Sequence, residues 1–209
     1  MAIKLYGYWR SSAAYRVRIA LRLKELDYES IPVSLKPGIS EHRQAAYRAK
    51  NPQMLVPFLE DGDVALSQSM AILEYLEEAY PERPLLPPSE PMRSRVRAFC
   101  NAIACDIHPL QNLRVLQYIN DEYDGDRAAW ASHWMREGFR ALEELAGEGP
   151  YVFGEAVTLA DALLTPQVYN ARRFEVPMDE YSRLIAAVDN CNKLVAFQAA
   201  APEAQPDAT

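Results

Sequence analysis

The sequence contains little cysteine and little histidine, which limits the metal and redox chemistry open to it. Three cysteines in 209 residues, with no Cys-x-x-Cys pair, exclude a disulfide framework and a dithiol redox centre. We expect no metal site, because the three histidines show no ligand spacing. Cys100 and Cys105 lie in an apolar helical stretch, and we expect both to be buried as small hydrophobic residues. The other residues of these two types are Cys191, His42, His108 and His133.

A long apolar run and an excess of positive charge are also missing. No stretch approaches the roughly 18 to 20 consecutive apolar residues of a membrane helix, and residues 1–6 lack the pattern of a secretory signal. The sequence thus predicts a cytoplasmic protein with no membrane partner. A net charge of −7 and a pI of about 5.1 argue against a nucleic-acid partner.

Basic residues are nevertheless concentrated near the start of the chain. Five of them lie between positions 10 and 24: Arg10, Arg16, Arg18, Arg22 and Lys24. A local positive patch on an acidic protein suits a small anionic ligand, whereas the alternative is a solvated helix face. Charge alone does not decide between the two.

The first 80 residues alternate between strand and helix patterns. The predicted elements are a strand at 3–8, a helix after Ser11-Ser12, a strand at 28–33, a helix at 41–50, a hairpin at 56–66 and a helix from 67 to Pro81. Because a helix joins the first two strands, we expect them to be parallel, with a right-handed crossover. The order βαβ followed by ββα predicts a four-stranded mixed sheet with helices, an α/β domain over 1–80.

A proline-rich linker separates this domain from a helical remainder. Five residues between 81 and 91 are proline, which makes the chain stiff and extended there. We expect an all-helical domain over 92–209, in which Thr158 and Asp161 begin one helix as a capping box. The predicted helices cover 92–123, 127–146, 158–174 and 182–199, and the polar tail from Pro202 is expected to fray.

Three short segments of the first domain carry candidate chemistry. Ser11-Ser12 stand at a helix N-terminus, where unpaired N–H groups and about half a positive charge would stabilise an anion such as a thiolate. The alternative is that one serine only caps the helix. Gln68-Ser69 begin another helix and would offer a carboxylate site. Val56, which Pro57 restricts to an extended conformation, would pair its main chain with an extended peptide.

One stretch near the start of the chain resembles the signature of zeta-class glutathione transferases, S-S-C-[S/A]-[W/Y]-R-V-R-I-A-L. Residues 9–21 are W-R-S-S-A-A-Y-R-V-R-I-A-L. The resemblance continues with Asn51-Pro52, Val56-Pro57 and the run from 68 to 78, and it extends through 107–113 and 165–174 to Gln205-Pro206-Asp207. It therefore spans nearly the whole chain. It implies the glutathione transferase fold, in which a thioredoxin-like α/β domain is followed by an all-α domain, with glutathione as cofactor.

The resemblance also implies roles for individual residues. Those implied for glutathione are Ser11 or Ser12 at the sulfur, Val56 and a cis Pro57 along the cysteinyl unit, Gln68 and Ser69 at the γ-glutamyl carboxylate, and His42 near the glycyl end. The helical domain would line a cleft between the domains with His108, Asn112, Leu113 and Arg114, the first two also near glutathione. His108 is a candidate general acid or simply a polar residue of that cleft.

One position departs from the signature, because Ala13 stands where the family has cysteine. A catalytic cysteine at this position is thereby excluded. The thiol that acts there must be that of bound glutathione. Isomerisation remains possible, because that thiolate is itself the nucleophile.

The resemblance implies a glutathione-dependent cis–trans isomerase of maleylacetoacetate or maleylpyruvate, an enzyme of aromatic amino acid catabolism. The thiolate would add to the double bond, allow rotation and leave. The substrate is a small dicarboxylate, for which we expect arginine clamps at Arg10 and Arg173, with Arg172 as the rival of Arg173. Either of the last two could instead offset the dipole at a helix C-terminus.

Two other functions stay open at this point. A transferase that conjugates glutathione to small α-halo acids, or dehalogenates them, would use the same thiolate and clamps. A non-enzymatic interaction module is disfavoured, because it would not need the serine, Val-Pro and Gln-Ser segments together. The family further implies a homodimer.

Overall fold

The computed structural model describes residues 2–208, which form two compact units. One unit comprises the chain up to Pro84 together with the segment that begins at Leu194, and the other comprises Leu85–Lys193. The first unit contains a mixed sheet with helices and the second is helical, which confirms the predicted fold class. No helix among the described residues is long and apolar enough to cross a membrane.

A four-stranded mixed sheet forms the centre of the first unit. Its strands are β1 Ile3–Gly7, β2 Tyr28–Pro32, β3 Phe58–Asp61 and β4 Val64–Ser67, in the spatial order β2-β1-β3-β4. β1 runs parallel to β2 and antiparallel to β3, and β3 and β4 form an antiparallel hairpin. Leu5 and Leu59 face each other across β1 and β3, and both side chains are buried. The predicted parallel pair and hairpin are confirmed.

The helices that follow these strands are α1 Ser12–Leu23, α2 Ala45–Lys50 and α3 Ser69–Ala79. α1 contains no glycine or proline, which favours a helix, and it packs against α3 so that most of its side chains are buried. The single helix predicted at 41–50 is divided. Gln44 adopts an extended backbone and separates a 3-10 turn at Glu41–Arg43 from α2.

The helices of the second unit are α4 Glu90–Asn101, α5 Leu113–Tyr123, α6 Arg127–Leu145, α7 Leu159–Arg173 and α8 Ser182–Cys191. The single helix predicted over 92–123 is wrong. A π-helical segment at Ala102–Ile107 and a 3-10 turn at His108–Gln111 separate α4 from α5. Pro109 lacks an N–H and its ring conflicts with the carbonyl one turn back, so a regular helix does not continue through it.

Cys105 corrects a further expectation, because it is exposed whereas Cys100 is buried as predicted. Cys105 lies in the π-helical segment. The wider π turn adds one residue to the helical repeat, which rotates the following side chains relative to the face that α4 buries. Ile103 and Ile107 take the buried positions instead.

The C-terminal segment belongs to the first unit, which corrects the predicted division at 92–209. The helix predicted over 182–199 is interrupted, because Leu194 adopts an extended backbone. The helix that follows it, α9 Val195–Ala200, packs against α1 and buries Phe197 there. The predicted linker is also divided, since Leu85 already belongs to the second unit.

The described part of the tail, residues 202–208, is held in place, although the sequence predicts that the tail frays; Thr209 lies outside the described residues. Gln205 is buried, and its Nε2 donates to the carbonyls of Ala199 and Ala201 at 3.1 and 2.8 Å. The tail therefore caps the end of α9 with a side-chain amide, which satisfies carbonyls that a helix end leaves open.

A buried carboxylate fixes the start of α7. Thr158 caps the helix and Asp161, which has no exposed surface, completes the predicted capping box. Asp161 Oδ1 accepts from the N–H of Val152 at 2.9 Å, and Oδ2 accepts from the N–H of Thr158 at 2.8 Å. Because each oxygen faces an N–H donor, the site requires a side chain that accepts at both ends.

Replacing Asp161 by asparagine is expected to destabilise the protein by about 1 to 3 kcal/mol, because the amide NH₂ must then face one of the two N–H donors. The measurement is the free energy of unfolding in urea. Asp179→Asn, at an exposed carboxylate of the same unit, serves as the control. Equal stabilities of the two variants would contradict this account.

Candidate active site

The N-terminus of α1 presents the two serines in different states. Ser11 is half-buried, and its Oγ accepts from the N–H of Ala14 at 3.2 Å, so it caps the helix. Because a lone pair faces Ala14, the hydroxyl proton is directed away from the helix and is available to an anion. Ser12 is buried at 7% exposure. The capping and anion-binding interpretations of Ser11 are therefore compatible.

The five basic residues between positions 10 and 24 do not form a single surface patch. Arg16, Arg18 and Lys24 are buried at 1%, 3% and 5% exposure, whereas Arg10 and Arg22 are exposed. Neither a ligand patch nor a solvated helix face describes the set. Of the two exposed arginines, Arg10 is next to Ser11 in the sequence. Its guanidinium lies 5.1 Å from the centre of the Trp9 ring.

Arg16 connects the start of α1 with the start of α3. Its Nη1 donates to Ser69 Oγ at 3.2 Å, and both residues are buried. Because the Ser69 oxygen accepts this bond, its own proton is free to donate to a ligand. The guanidinium also adds positive charge behind the N-terminus of α3, where the helix dipole already favours an anion. The carboxylate site predicted at Gln68-Ser69 therefore has a buried cation, Arg16, which was expected at the surface.

Gln68 precedes Ser69 with an unusual backbone. Its φ is +72°, a left-handed value that is uncommon for any residue other than glycine and that concentrates at functional sites. The exposed Gln68 side chain donates through Nε2 to Gln53 Oε1 at 2.9 Å. Gln53 could not be predicted from the sequence, because the contact joins two loops that share no local pattern.

The Val56–Pro57 peptide bond is cis, as the resemblance implies. The main-chain N–H and C=O of Val56 form no hydrogen bond within the described part of the chain. The preceding carbonyl, that of Leu55, accepts from Tyr47 Oη and Asn51 Nδ2, both at 2.7 Å. The loop is thus anchored beside Val56 while Val56 itself keeps a free donor and a free acceptor, which is the arrangement that an added peptide strand needs.

His42 lies in the 3-10 turn at Glu41–Arg43 and is half-buried. Its Nδ1 is 3.4 Å from the carbonyl oxygen of Ser34. Partial burial and the neighbouring Arg43 lower its pKa, although the Ser34 carbonyl opposes that shift. A neutral His42 at pH 7 would therefore offer a hydrogen bond to a ligand rather than a charge.

In the second unit, Arg173 is oriented by buried amides. Its Nη1 donates to Asn170 Oδ1 at 2.9 Å, and Asn170 Nδ2 donates in turn to Gln111 Oε1. Arg172 instead forms an ion pair with Asp189 at 3.6 Å. The two arginines thus have different partners, which could not be predicted from two adjacent positions in the sequence. The signal that could have predicted this contact was the pair of amides, Gln111 and Asn170, in the two segments of the helical domain that carry the family resemblance.

The remaining predicted residues of the second unit lie around the junction of the 3-10 turn with α5. His108 is half-buried on that turn, and Asn112 Oδ1 accepts from the N–H of Arg114 at 3.2 Å as the cap of α5. Leu113 and Arg114 are exposed. The turn therefore gathers these four residues into one segment, with the Asn112 oxygen engaged in the cap.

These groups allow a defined chemistry. The first unit offers two helix N-termini with serine hydroxyls, joined through a buried arginine, and one unpaired peptide edge. Such an arrangement suits an extended peptide that carries an anion at each helix end. The second unit offers a pre-oriented guanidinium, the group best suited to a carboxylate.

Comparison with known proteins identifies the family to which this chain belongs. Residues 5–84 match the family model described as the glutathione S-transferase N-terminal domain. The probable maleylacetoacetate isomerase of Vibrio cholerae is 46% identical over 213 residues, which cover 100% of this chain and 99% of that protein.

Solved structures agree with that assignment. The holo structure of a bacterial maleyl pyruvate isomerase of the zeta class superposes with a TM-score of 0.95 at 46% identity, covering 99% of this chain and 100% of the other. The maleylacetoacetate isomerase of Anaeromyxobacter dehalogenans 2CP-1, solved with dicarboxyethyl glutathione and citrate in its active site, gives 0.90 at 44% identity, covering 100% and 98%. This chain therefore belongs to the zeta class of glutathione transferases, together with the maleylacetoacetate and maleylpyruvate isomerases.

Proposed function

We propose that this protein is a glutathione-dependent cis–trans isomerase of maleylacetoacetate or maleylpyruvate. The observation that carries the proposal is the unpaired main chain of Val56 in the unit where Arg16 joins the starts of α1 and α3. The Anaeromyxobacter relative supports it, because that enzyme holds glutathione already joined to a dicarboxylate. The proposal includes a cytoplasmic homodimer, which the family resemblance implies.

The residues present fit glutathione in three respects. Val56 would pair through its N–H and C=O with the cysteinyl unit of the tripeptide. Ser69, with Arg16 behind it and Gln68 beside it, would hold the γ-glutamyl carboxylate at the N-terminus of α3. His42, neutral and with its Nδ1–H directed at the Ser34 carbonyl, would accept through Nε2 from an N–H at the glycyl end. Each contact uses a group that the fold leaves available.

Ser11 is the residue that we propose for the sulfur. A free thiol has a pKa of about 8.5, so the site must favour the thiolate at pH 7. The outward hydroxyl proton of Ser11 and the N-terminus of α1 both stabilise a negative charge. Ser12, which is buried more deeply, would supply its main-chain N–H in the same first turn.

When bound, glutathione supplies the thiolate that adds to the cis double bond and leaves after rotation. Arg173 and Arg10 would hold the substrate carboxylates through paired N–H donors. Negative charge that develops on the substrate oxygens requires donors as well, and His108 or Asn112 would provide them. Ala13 contributes no thiol, so the chain itself only positions and stabilises.

The direct test of the reaction follows the absorbance of maleylacetoacetate and maleylpyruvate with and without glutathione. We expect rapid loss of at least one cis acid, dependent on glutathione. Conjugation of glutathione to chloroacetate, assayed in parallel, tests the transferase alternative. Turnover of chloroacetate without isomerisation of either maleyl acid would replace the proposed function with that alternative.

Removing the Ser11 hydroxyl is expected to raise the pKa of the bound thiol by roughly 1 to 2, because a hydrogen bond to a charged group contributes about 1.5 to 3 kcal/mol. The variant is Ser11→Ala, and the measurement is the pH dependence of thiolate absorbance in the complex. Ser11→Gly keeps a favourable N-cap residue but has no hydroxyl donor and adds no charge. Recovery of the low thiol pKa in Ser11→Gly would show that the hydroxyl is not needed and would contradict the assignment.

Arg173→Leu is expected to lower kcat/KM for the preferred maleyl acid by about 10- to 150-fold, the value of a charge-assisted hydrogen bond. Arg172→Leu should change it by less than about threefold, because Arg172 forms only an exposed ion pair. Steady-state kinetics of the two variants make a matched comparison at adjacent positions. Equal losses of kcat/KM in the two variants would show that the hydrogen bond to Asn170 does not identify Arg173 as the residue that binds the substrate carboxylate.

A further inference from the structure

The turn that carries Ser11 is held from the far end of the sequence. The Ser11 N–H donates to the Tyr8 carbonyl at 2.9 Å, which makes Trp9 a central residue of a tight turn. The Trp9 N–H donates to Asp207 Oδ2 at 3.0 Å, and the Trp9 carbonyl accepts from Arg18 Nη2 at 2.8 Å. Both main-chain polar groups of Trp9 are thus committed to partners outside the turn.

Arg18 joins the same tail to the turn by a second route. It is buried at 3% exposure, and its Nε donates to the carbonyl of Ala200, the last residue of α9, at 2.9 Å. Its guanidinium lies 5.3 Å from the centre of the Tyr15 ring. One guanidinium therefore spans the Trp9 carbonyl and the end of α9. Asp207, seven residues later, completes the connection from the tail to the Trp9 N–H.

The Asp207 bond fixes a peptide plane directly before the candidate catalytic residues. A main-chain N–H donated to a carboxylate is a charge-assisted hydrogen bond, about twice as strong as a neutral one. With the carbonyl held by Arg18, Trp9 has little freedom to rotate about its own backbone bonds. Arg10 and Ser11 follow Trp9 covalently, so the position of the Ser11 hydroxyl depends on the tail.

We propose that Asp207 is a positioning residue for the thiolate site, a role that rests on the proposed function. It contacts neither glutathione nor substrate in this proposal. It holds Trp9 so that the Ser11 hydroxyl and the first turn of α1 point at the sulfur. The tail is then part of the active-site support, and an error of about 1 Å in such support lowers rates by up to about 100-fold.

The test compares Asp207→Ala with Asp207→Asn, which keeps an acceptor oxygen for the Trp9 N–H. In Asp207→Ala, we expect faster hydrogen exchange at the Trp9 amide, a higher pKa of the bound thiol and a kcat lowered by up to about 100-fold. Affinity for S-methylglutathione, which has no thiol to ionise, should not change. Asp207→Asn should restore all three properties in large part.

Glu203→Ala removes an exposed carboxylate from the same tail and serves as the control, with wild-type exchange and thiol pKa expected. All measurements are made at a temperature where each variant is fully folded. Faster exchange in Asp207→Ala with an unchanged thiol pKa would show a merely structural role and overturn the proposal. Unchanged exchange would overturn it as well.

The outcome is separable from that of the proposed function. Hydrogen exchange and the thiol pKa are measured without any maleyl acid. Failure of the wild type to isomerise either acid would overturn the proposed reaction, while these two readouts would still decide whether Asp207 supports the thiolate site.

Discussion

The first unit is organised by three buried cations, two of them in α1 and the third directly after it. An isolated charge removed from water costs several kcal/mol unless it is paired and hydrogen-bonded. Each cation therefore fixes a different segment of the chain. Arg16 contacts the start of α3, Arg18 contacts the Trp9 turn and the end of α9, and Lys24 contacts the end of α3. These contacts set the positions of the groups that we propose for glutathione.

Lys24 has a partner for each of its donors. Its Nζ lies 2.6 Å from Glu77 Oε1 and donates at 3.0 Å to the carbonyls of Tyr80 and Arg83. An ammonium group has three donors, and all three have partners here. The result is a fixed exit from α3 into the proline-rich stretch. Asp161 plays the equivalent part in the second unit, as a buried anion whose two oxygens both face N–H donors.

The sequence was sufficient wherever a feature depends on near neighbours. The start of α1 at Ser11, the β3–β4 hairpin and the Thr158–Asp161 box follow from turn residues, alternation and capping, all read within a few positions. The family signature implies roles for residues such as Val56 and Ser69, and these roles are proposals. Neither source of information requires knowledge of distant contacts.

The features that the sequence did not reveal are those set by distant contacts. Arg16 and Arg18 were expected at the surface because charged residues are seldom buried, and only tertiary partners make the exception possible. Cys105 escaped prediction because the π-helical segment shifts the helical repeat by one residue. The place of the tail depends on a hydrogen bond between residues 198 positions apart, for which no local pattern exists.

The anchored tail also gives the protein an order of assembly. A chain is synthesised from its N-terminus, and its domains generally fold as they emerge. Nearly all of the first unit is made before any of the helical unit, yet α9 and Asp207 are made after it. While residues 85–193 are made, the sheet and α1 therefore lack the contacts that the C-terminal segment makes with Trp9 and Arg18. The region that we propose for the thiolate begins to form first and is completed last.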